Sequence, residues 1–200
     1  MAHKFRKRVG AVDFKTIVFL LVLAFIAGAS LPFVMPEEYS TAGFAVLDSG
    51  AKVSENNIQV FLCPQDECAL QLESFYGTAQ SKIHVMVYSF TKQEIADALV
   101  AAKNKGIEVQ VLMDKGQAGL KDAKDEFLES KGIELKRADL SGYHIMHNKV
   151  SIIDGKAFST GSFNYTENAD SGNAENLLVI KDQKLAERFE QEFQKYWSSS

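Results

Sequence analysis

Predicted strands and helices alternate along most of this chain, and that alternation restricts the fold more than any other feature. Residues 58–62 form a strand-like apolar run, and residues 66–79 follow with the pattern of a helix. Residues 82–90 are rich in β-branched and aromatic side chains, which favours a central strand. Strands at 107–113 and 133–136, separated by a helix at about 120–130, continue the series. The pattern predicts an α/β domain with a layered, largely parallel or mixed β-sheet flanked by helices.

Local signals mark the ends of individual helices. Thr91-Lys92-Gln93-Glu94 matches a capping box, which predicts that a helix begins there, and Gly106 is expected to end it. Near the end of the chain, apolar residues recur at helical spacing and predict an amphipathic helix (Leu185, Phe189, Phe193, Trp197).

His147-Asn148-Lys149, with Asp154 five residues after the lysine, is the pattern that points most directly to chemistry. Side chains two apart on an extended chain share a face, so His147 and Lys149 are expected to lie side by side. An imidazole and an ammonium make a poor core pair, because burying either group unpaired is costly. They suit a phosphate, since the lysine neutralises its oxygens and the imidazole can attack phosphorus or carry a proton.

The residues downstream add groups of the same kind. Asp154-Gly155 predicts a turn, and a short strand at 157–160 leads into Gly161-Ser162-Phe163-Asn164. Ser162 and Asn164 bring a hydroxyl and an amide that can donate to anionic oxygens. Glu175 precedes an apolar strand at 177–180, and its carboxylate could orient an imidazole and stabilise the charged form.

In the order and length of its motifs, this chain resembles the phospholipase D superfamily, most closely its small nuclease-like members with a single H-x-K motif. The resemblance covers nearly all of residues 57–197. Its motifs are Tyr88-Ser89-Phe90-Thr91, Val111-Leu112-Met113-Asp114, Met146-His147-Asn148-Lys149 and Thr160-Gly161-Ser162-Phe163-Asn164, with Ala101-Ala102-Lys103 and Gly106-Ile107 between them.

The resemblance also implies roles for individual residues. His147 would be the nucleophile and form a phosphohistidine. Lys149 and Asn164 would hold the phosphate, with Ser162 in support, and Glu175 would hydrogen-bond a histidine.

Asp154 is implied to have a mainly structural role around the motif. The sequence offers no convincing set of metal ligands, and we expect neither a metal nor a cofactor.

Charge is distributed unevenly along the 200 residues. The first 15 residues hold five basic side chains against Asp13 (Lys4, Arg6, Lys7, Arg8 and Lys15). The rest of the chain has 17 basic and 25 acidic residues, which is unlike a tight, non-specific nucleic-acid binder, although a local basic groove stays possible.

No charged residue occurs from Thr16 to Met35, and about 20 apolar residues are enough to span a bilayer. We expect residues 1–15 to be a cytoplasmic tail, 16–35 a transmembrane anchor, 36–56 a linker and 57–200 an extracytoplasmic catalytic domain. The alternative is a signal peptide cleaved near Ala27-Gly28-Ala29, which would leave a secreted or periplasmic protein.

Four further side chains allow more than one interpretation. Cys63 and Cys68 are expected to form a disulfide outside the cytoplasm, with free thiols or a metal site as alternatives. His84 is expected to be a paired structural histidine, and His144, near the motif, is a candidate substrate contact. Lys115 follows a strand end, where α/β sheets often bind ligands, but a solvated loop lysine is favoured.

One motif is not enough for the reaction. One imidazole must be neutral to attack, and another must be protonated to release the leaving oxygen. A homodimer with both copies of His147 facing across a two-fold axis would supply both, in one shared site.

The substrate stays open between two kinds of enzyme. A membrane-anchored endonuclease acting on nucleic acid is our leading hypothesis, from the resemblance to compact nucleases. A phospholipase D cleaving phosphatidyl lipids is the alternative, which the anchor and the acidic domain favour. A non-catalytic binding protein of the same fold is the least favoured.

Overall fold

A computed structural model describes residues 57–140 and 144–200. The strands of this part are β1 (Ile58–Cys63), β2 (Lys82–Val87), β3 (Glu108–Asp114), β4 (Glu134–Ala138), β5 (Lys149–Ile153), β6 (Ala157–Gly161) and β7 (Glu175–Ile180). Its helices are α1 (Cys68–Tyr76), α2 (Gln93–Asn104), α3 (Asp125–Ser130), α4 (Glu167–Ser171) and α5 (Gln183–Ser199).

All seven strands form one mixed sheet in the order β1-β7-β6-β5-β2-β3-β4. Only the β2–β3 and β3–β4 pairs are parallel, and the other four pairs are antiparallel. The α/β architecture with a mixed sheet is therefore confirmed, and of the two predicted alternatives the largely parallel sheet is wrong. The reason is the short turn after Ile153, because a tight turn joins only antiparallel strands, and a parallel pair needs a long crossover.

Helices cover both faces of the sheet. On one face, α1, α2 and α3 bury Leu72, Leu99 and Leu128 against sheet residues such as Val85 and Val179. On the other face, α5 buries Ala186 and Phe193 against Met86, Leu112, Ile152 and Phe158. Central strand β2 is buried almost throughout, because alternate side chains enter the two cores.

Two predicted helix starts are wrong. Thr91 does not cap α2, whose N-cap is Lys92 without a side-chain hydrogen bond. Instead, the backbone N–H groups of Thr91 and Lys92 both donate to the Tyr165 carbonyl oxygen. Helix α3 begins at Asp125 rather than near residue 120, because Gly119 and Asp122 adopt positive φ angles that break a helix.

The predicted tail (1–15), membrane segment (16–35) and linker (36–56) lie outside the described residues. Within residues 57–140 and 144–200, none of the helices has the length and apolar character needed to cross a bilayer.

Candidate active site

Three strands bring the predicted phosphate-binding residues to one edge of the sheet. Lys149 begins β5, Gly161 ends β6 and Glu175 begins β7. Because these neighbouring strands are antiparallel, the start of β5, the end of β6 and the start of β7 lie at the same edge. We call this the site edge, and it also receives the ends of β1, β2 and β3.

His147 and Lys149 lie against the same aromatic ring. His147 is exposed and precedes β5, so it is not within the strand as predicted. Its imidazole centroid is 4.6 Å from the centroid of the Tyr88 ring, at an angle of 58°. The Lys149 ammonium lies 5.1 Å from the centroid of that ring. The structure therefore brings the His147 and Lys149 side chains together, because both lie against the Tyr88 ring.

The Lys149 ammonium is mostly shielded from water, at 7% exposure for the residue. Its Nζ donates to the His147 carbonyl oxygen over 2.8 Å, which leaves two donors for a ligand. Burial lowers the pKa of Lys149, and the negative charge of Glu175 opposes that shift. A poorly solvated cation at a sheet edge is a strong attractor for an anion.

Glu175 and Ser162 form a small polar network next to this cation. The Ser162 hydroxyl donates to Glu175 Oε2, and Asn173 Nδ2 donates to Glu175 Oε1 over 3.0 Å. In the described part of the chain, Glu175 makes its hydrogen bonds to these two residues and not to His147. The bond from Glu175 to a histidine therefore stays a prediction.

Gly161 allows the chain to approach itself closely where Ser162 is held. Its φ is +149°, and a Cβ atom placed there would lie 2.2 Å from the Asn176 carbonyl oxygen. The same carbonyl accepts the backbone N–H groups of Ser162 and Phe163. Only glycine fits this position.

Asn164 carries an unused acceptor. Its Oδ1 is buried and has no hydrogen-bond partner among the described residues. A half-turn about the last side-chain bond exchanges Oδ1 with the Nδ2 donors. The amide is thus uncommitted and can present its N–H groups to a phosphate.

Asp114 is a site residue to which the sequence analysis gave no role. This buried carboxylate ends β3 and accepts the Met146 N–H over 2.9 Å, directly before His147. It also accepts the N–H groups of Gly116 and Gln117. The available signal was a carboxylate at a strand end, where ligand sites of α/β sheets cluster.

Other candidate residues lie apart from this cluster. Asp154 is at the opposite end of β5, where it accepts backbone N–H groups from residues 80–82. His84 is buried between Glu190 Oε1, at 2.8 Å, and Glu108 Oε1, at 3.2 Å, and it stacks on Phe193. These partners agree with a paired structural histidine.

Two surface candidates near the site edge have different surroundings. Lys115 pairs with Asp139 over 2.6 Å in an exposed loop. His144 is exposed three residues before His147, and its contact with substrate stays a prediction.

A disulfide joins Cys63 and Cys68, whose Cα atoms are 5.6 Å apart. It connects the end of β1 to the first residue of α1, and Cys63 pairs with Glu175 across β1 and β7. Of the three alternatives for the cysteines, the structure has the disulfide. Among the described residues, no cluster of three His, Cys, Asp or Glu side chains is arranged to hold a metal ion.

Comparison with known protein families shows the family to which this chain belongs. Residues 73–197 match the family model described as cardiolipin synthase, PLD-like domain. This chain belongs to the phospholipase D superfamily. The resemblance seen in the sequence is thereby confirmed, and the site edge belongs to a member of a hydrolase superfamily.

Individual relatives carry several names. A mitochondrial cardiolipin hydrolase of Chlamydomonas reinhardtii is 35% identical over 123 residues, 62% of this chain and 54% of that protein. The chain thus spans about half of that relative's length. A phospholipase D of Rickettsia prowazekii is 34% identical over 139 residues, 70% of this chain and 67% of that one.

Among solved structures, the phospholipase D family member Nuc from Salmonella typhimurium superimposes with a TM-score of 0.66 and 35% identity. That match covers 70% of this chain and 93% of Nuc. NucT from Helicobacter pylori has a TM-score of 0.64, 28% identity and 96% coverage of its chain.

Proposed function

We propose that this protein is a metal-independent phosphodiesterase that cleaves its substrate through a phosphohistidine on His147. The observation that carries the proposal is the exposed His147 imidazole, held on the same Tyr88 ring as the shielded Lys149 ammonium. The ammonium, the free Asn164 amide and the Ser162 hydroxyl would hold the phosphate oxygens in place. Donors fixed before the reaction stabilise charge as it develops.

The reaction runs in two displacements. A neutral imidazole nitrogen of His147 forms a bond to phosphorus as the bond to the leaving alcohol oxygen breaks, and a second, protonated imidazole gives that oxygen its proton. The second imidazole is then neutral and takes a proton from water. That water attacks phosphorus, and the phosphohistidine bond breaks to return free His147 and a phosphomonoester.

The second imidazole comes from His147 of a second copy, in a two-fold dimer. The surface at the site edge supports this arrangement. Four large apolar residues are at least half exposed at this end of the domain (Leu62 57%, Leu70 50%, Leu120 54%, Ile145 51%). They lie on β1, on the first turn of α1 and in the loops beside β3 and His147. Exposed apolar residues gathered at one end of a domain are typical of a contact surface.

Nucleic acid is the substrate class that we infer. The described domain has the fold of Nuc and covers 93% of that chain. The sequence motifs resemble the small nuclease-like subgroup. A phosphatidyl lipid is the second candidate, and the names of the Chlamydomonas and Rickettsia relatives favour it.

A direct comparison of substrates tests the proposal. Purified full-length protein, in EDTA, is offered labelled single-stranded DNA or vesicles of phosphatidylcholine and cardiolipin, with His147→Ala as the control. We expect DNA fragments without added metal, inhibition by vanadate or tungstate, and no turnover by the control. Headgroup release with intact DNA would select the lipid alternative. A strict requirement for a divalent ion would refute the metal-independent reaction.

We further propose that residues 16–35 anchor the protein in a membrane, with the catalytic domain outside the cytoplasm. The support is the charge-free run preceded by five basic residues. Protease added to intact cells should cleave off the catalytic domain without any disruption of the membrane. Protection of the domain in intact cells would contradict this orientation.

A further inference from the structure

Tyr88 touches both groups that the reaction requires. Its ring lies 4.6 Å from the His147 ring and 5.1 Å from the Lys149 ammonium. Among the described residues, the Tyr88 ring is the aromatic side chain that packs against the His147 imidazole. The nucleophile is otherwise exposed, so its orientation depends on this ring.

The chain on either side of His147 is tied down separately. The N–H of Met146 donates to Asp114 Oδ2 over 2.9 Å, and the carbonyl of Asn148 accepts the Tyr88 N–H over 2.9 Å. These bonds fix the backbone of His147 but not its side-chain torsions. The imidazole can still rotate, and the ring of Tyr88 is what limits that rotation.

Tyr88 is itself held in place. Its hydroxyl accepts Gln117 Nε2 over 3.1 Å, and the N–H of Gln117 donates to Asp114 Oδ1 over 3.2 Å. Asp114 therefore holds the loop that carries Gln117 as well as the segment before His147. The ring is a half-buried platform with its hydroxyl pinned at the loop.

We propose that Tyr88 is a positioning residue that holds the His147 imidazole next to the Lys149 ammonium for attack on the substrate phosphate. The inference rests on the proposed function and deepens it. The ring matters for two reasons: its face limits the rotation of His147, and its quadrupole attracts the Lys149 ammonium placed over it. The hydroxyl serves only to hold the ring.

Two substitutions separate the ring from the hydroxyl. Tyr88→Phe keeps the ring and loses the bond to Gln117, and we expect kcat within about threefold of wild type. Tyr88→Leu removes the ring, and kcat should fall by up to about 100-fold, because a misplacement on the order of 1 Å can have that effect. KM should change much less than kcat, because the Lys149 ammonium keeps its hydrogen bond to the His147 carbonyl oxygen and Asn164 remains to bind the phosphate.

Tyr196→Leu is the matched control. Tyr196 is also a half-buried tyrosine with a lysine ammonium near its ring, that of Lys195 at 4.7 Å, but it lies on α5. This variant should keep wild-type kcat. Thermal unfolding of all three variants shows how much of any loss comes from unfolding.

Histidine NMR gives a signal that a purely structural role would not change. The chain has four histidines, and His147→Ala identifies the resonances of His147. Tyr88→Leu should move those resonances, because the nearby aromatic ring current is lost. His84, which stacks on Phe193 at 4.4 Å, should keep its resonances.

The outcomes distinguish this inference from the proposed function. Tyr88→Leu with the kcat of Tyr88→Phe would overturn the positioning role, and so would a loss of kcat with unchanged His147 resonances. Activity that survives in His147→Ala would instead overturn the proposed function, whatever the Tyr88 variants do.

Discussion

At the scale of single residues, the charge of Lys149 is the feature that most affects how this site works. The ammonium holds a phosphate only while it is protonated. Burial lowers the pKa of Lys149, and the Glu175 carboxylate counteracts that effect. Glu175 therefore has an electrostatic role in addition to its hydrogen bonds with Ser162 and Asn173.

This balance predicts a shift in the pH dependence of the reaction. In Glu175→Gln, the negative charge that raises the pKa of Lys149 is gone, so the lysine loses its proton at a lower pH. The part of the alkaline fall of kcat/KM that comes from Lys149, at higher pH than the fall caused by the protonated imidazole, should begin at a lower pH than in wild type. The measurement is a pH profile of kcat/KM.

Ser162→Ala is the control, because it removes a hydrogen-bond partner of Glu175 but keeps the carboxylate. Its alkaline limb should lie near that of wild type, even if the rate is lower. An alkaline limb that is the same in Glu175→Gln and wild type would refute the electrostatic role.

A local signal in the sequence was enough to predict that the candidate site residues lie close together, whereas their roles in the reaction stay a prediction. The five predicted residues are close together in the sequence and have a recognisable spacing (His147, Lys149, Ser162, Asn164 and Glu175). The antiparallel pairing of β5, β6 and β7 brings them to the site edge.

Tyr88 directly follows β2 and Asp114 ends β3, and the pairing of the strands brings both residues to the motif. Lys149 pairs with Val87, which places Tyr88 beside it. Such pairings depend on the topology of the whole sheet and leave no spacing pattern in the sequence.

At the scale of elements, the turn between β5 and β6 helps to explain why the sheet is mixed rather than largely parallel, and it also explains the position of Asp154. Asp154 has a φ of +55° and the next residue, Gly155, a φ of +64°. Two successive positive φ values are typical of a type I′ hairpin turn. The turn makes β5 and β6 antiparallel, which the alternation of strands and helices did not indicate. Two smaller errors concern helix starts: Thr91 was predicted to cap α2, and α3 was predicted to begin near residue 120. At both places, contacts of the backbone and loops outweigh local helix propensity.

Asp154 also fastens this hairpin to the start of β2. Its carboxylate accepts the N–H groups of Gln80, Ser81 and Lys82, and the Ser81 hydroxyl, over 2.7–3.0 Å. Burial alone would raise the pKa of Asp154, but the hydrogen bonds from Lys82, Ser81 and Gln80 together lower it.

We expect Asp154→Asn to destabilise the domain without affecting the chemistry. Asparagine tolerates the positive φ but replaces a charged acceptor with an amide, so unfolding should become easier by about 1–3 kcal/mol. Urea unfolding at neutral pH measures the loss, with Lys156→Gln as a control at a neighbouring exposed position. The kcat of folded protein should be unchanged, because Asp154 lies at the end of β5 opposite the site edge. A fall in kcat at full stability would give Asp154 a role in the reaction.

The pH dependence of stability has a defined sign. Because the folded protein lowers the pKa of Asp154, its stabilising effect is present above the ordinary aspartate value of 3.8 and is lost as the pH falls through the lowered folded value. The difference in unfolding free energy between wild type and Asp154→Asn should therefore shrink in acid.

At the scale of the whole molecule, the proposed reaction needs two imidazoles, and the described residues of one chain place one of them, that of His147, at the site edge. His84, in β2, is buried between Glu108 of β3 and Glu190 of α5. His144 is exposed three residues before His147. The proposed dimer supplies the missing imidazole. A two-fold axis at this end of the domain would bury Leu62, Leu120 and Ile145 and bring the two copies of His147 together.

Mixed dimers test this arrangement. Wild-type chains and His147→Ala chains, each with a different affinity tag, are combined and the heterodimer is purified through both tags. If the site is shared, every heterodimer has one imidazole where the reaction needs two, so turnover should fall well below half that of the wild-type dimer. Loss of a nucleophile or general acid costs orders of magnitude, whereas an independent site in each chain would leave about half. Light scattering confirms the dimer, and the His147→Ala homodimer gives the baseline. Half the wild-type activity in the heterodimer, or full activity in a monomer, would place the second proton carrier within one chain, and His144 would be the first residue to replace.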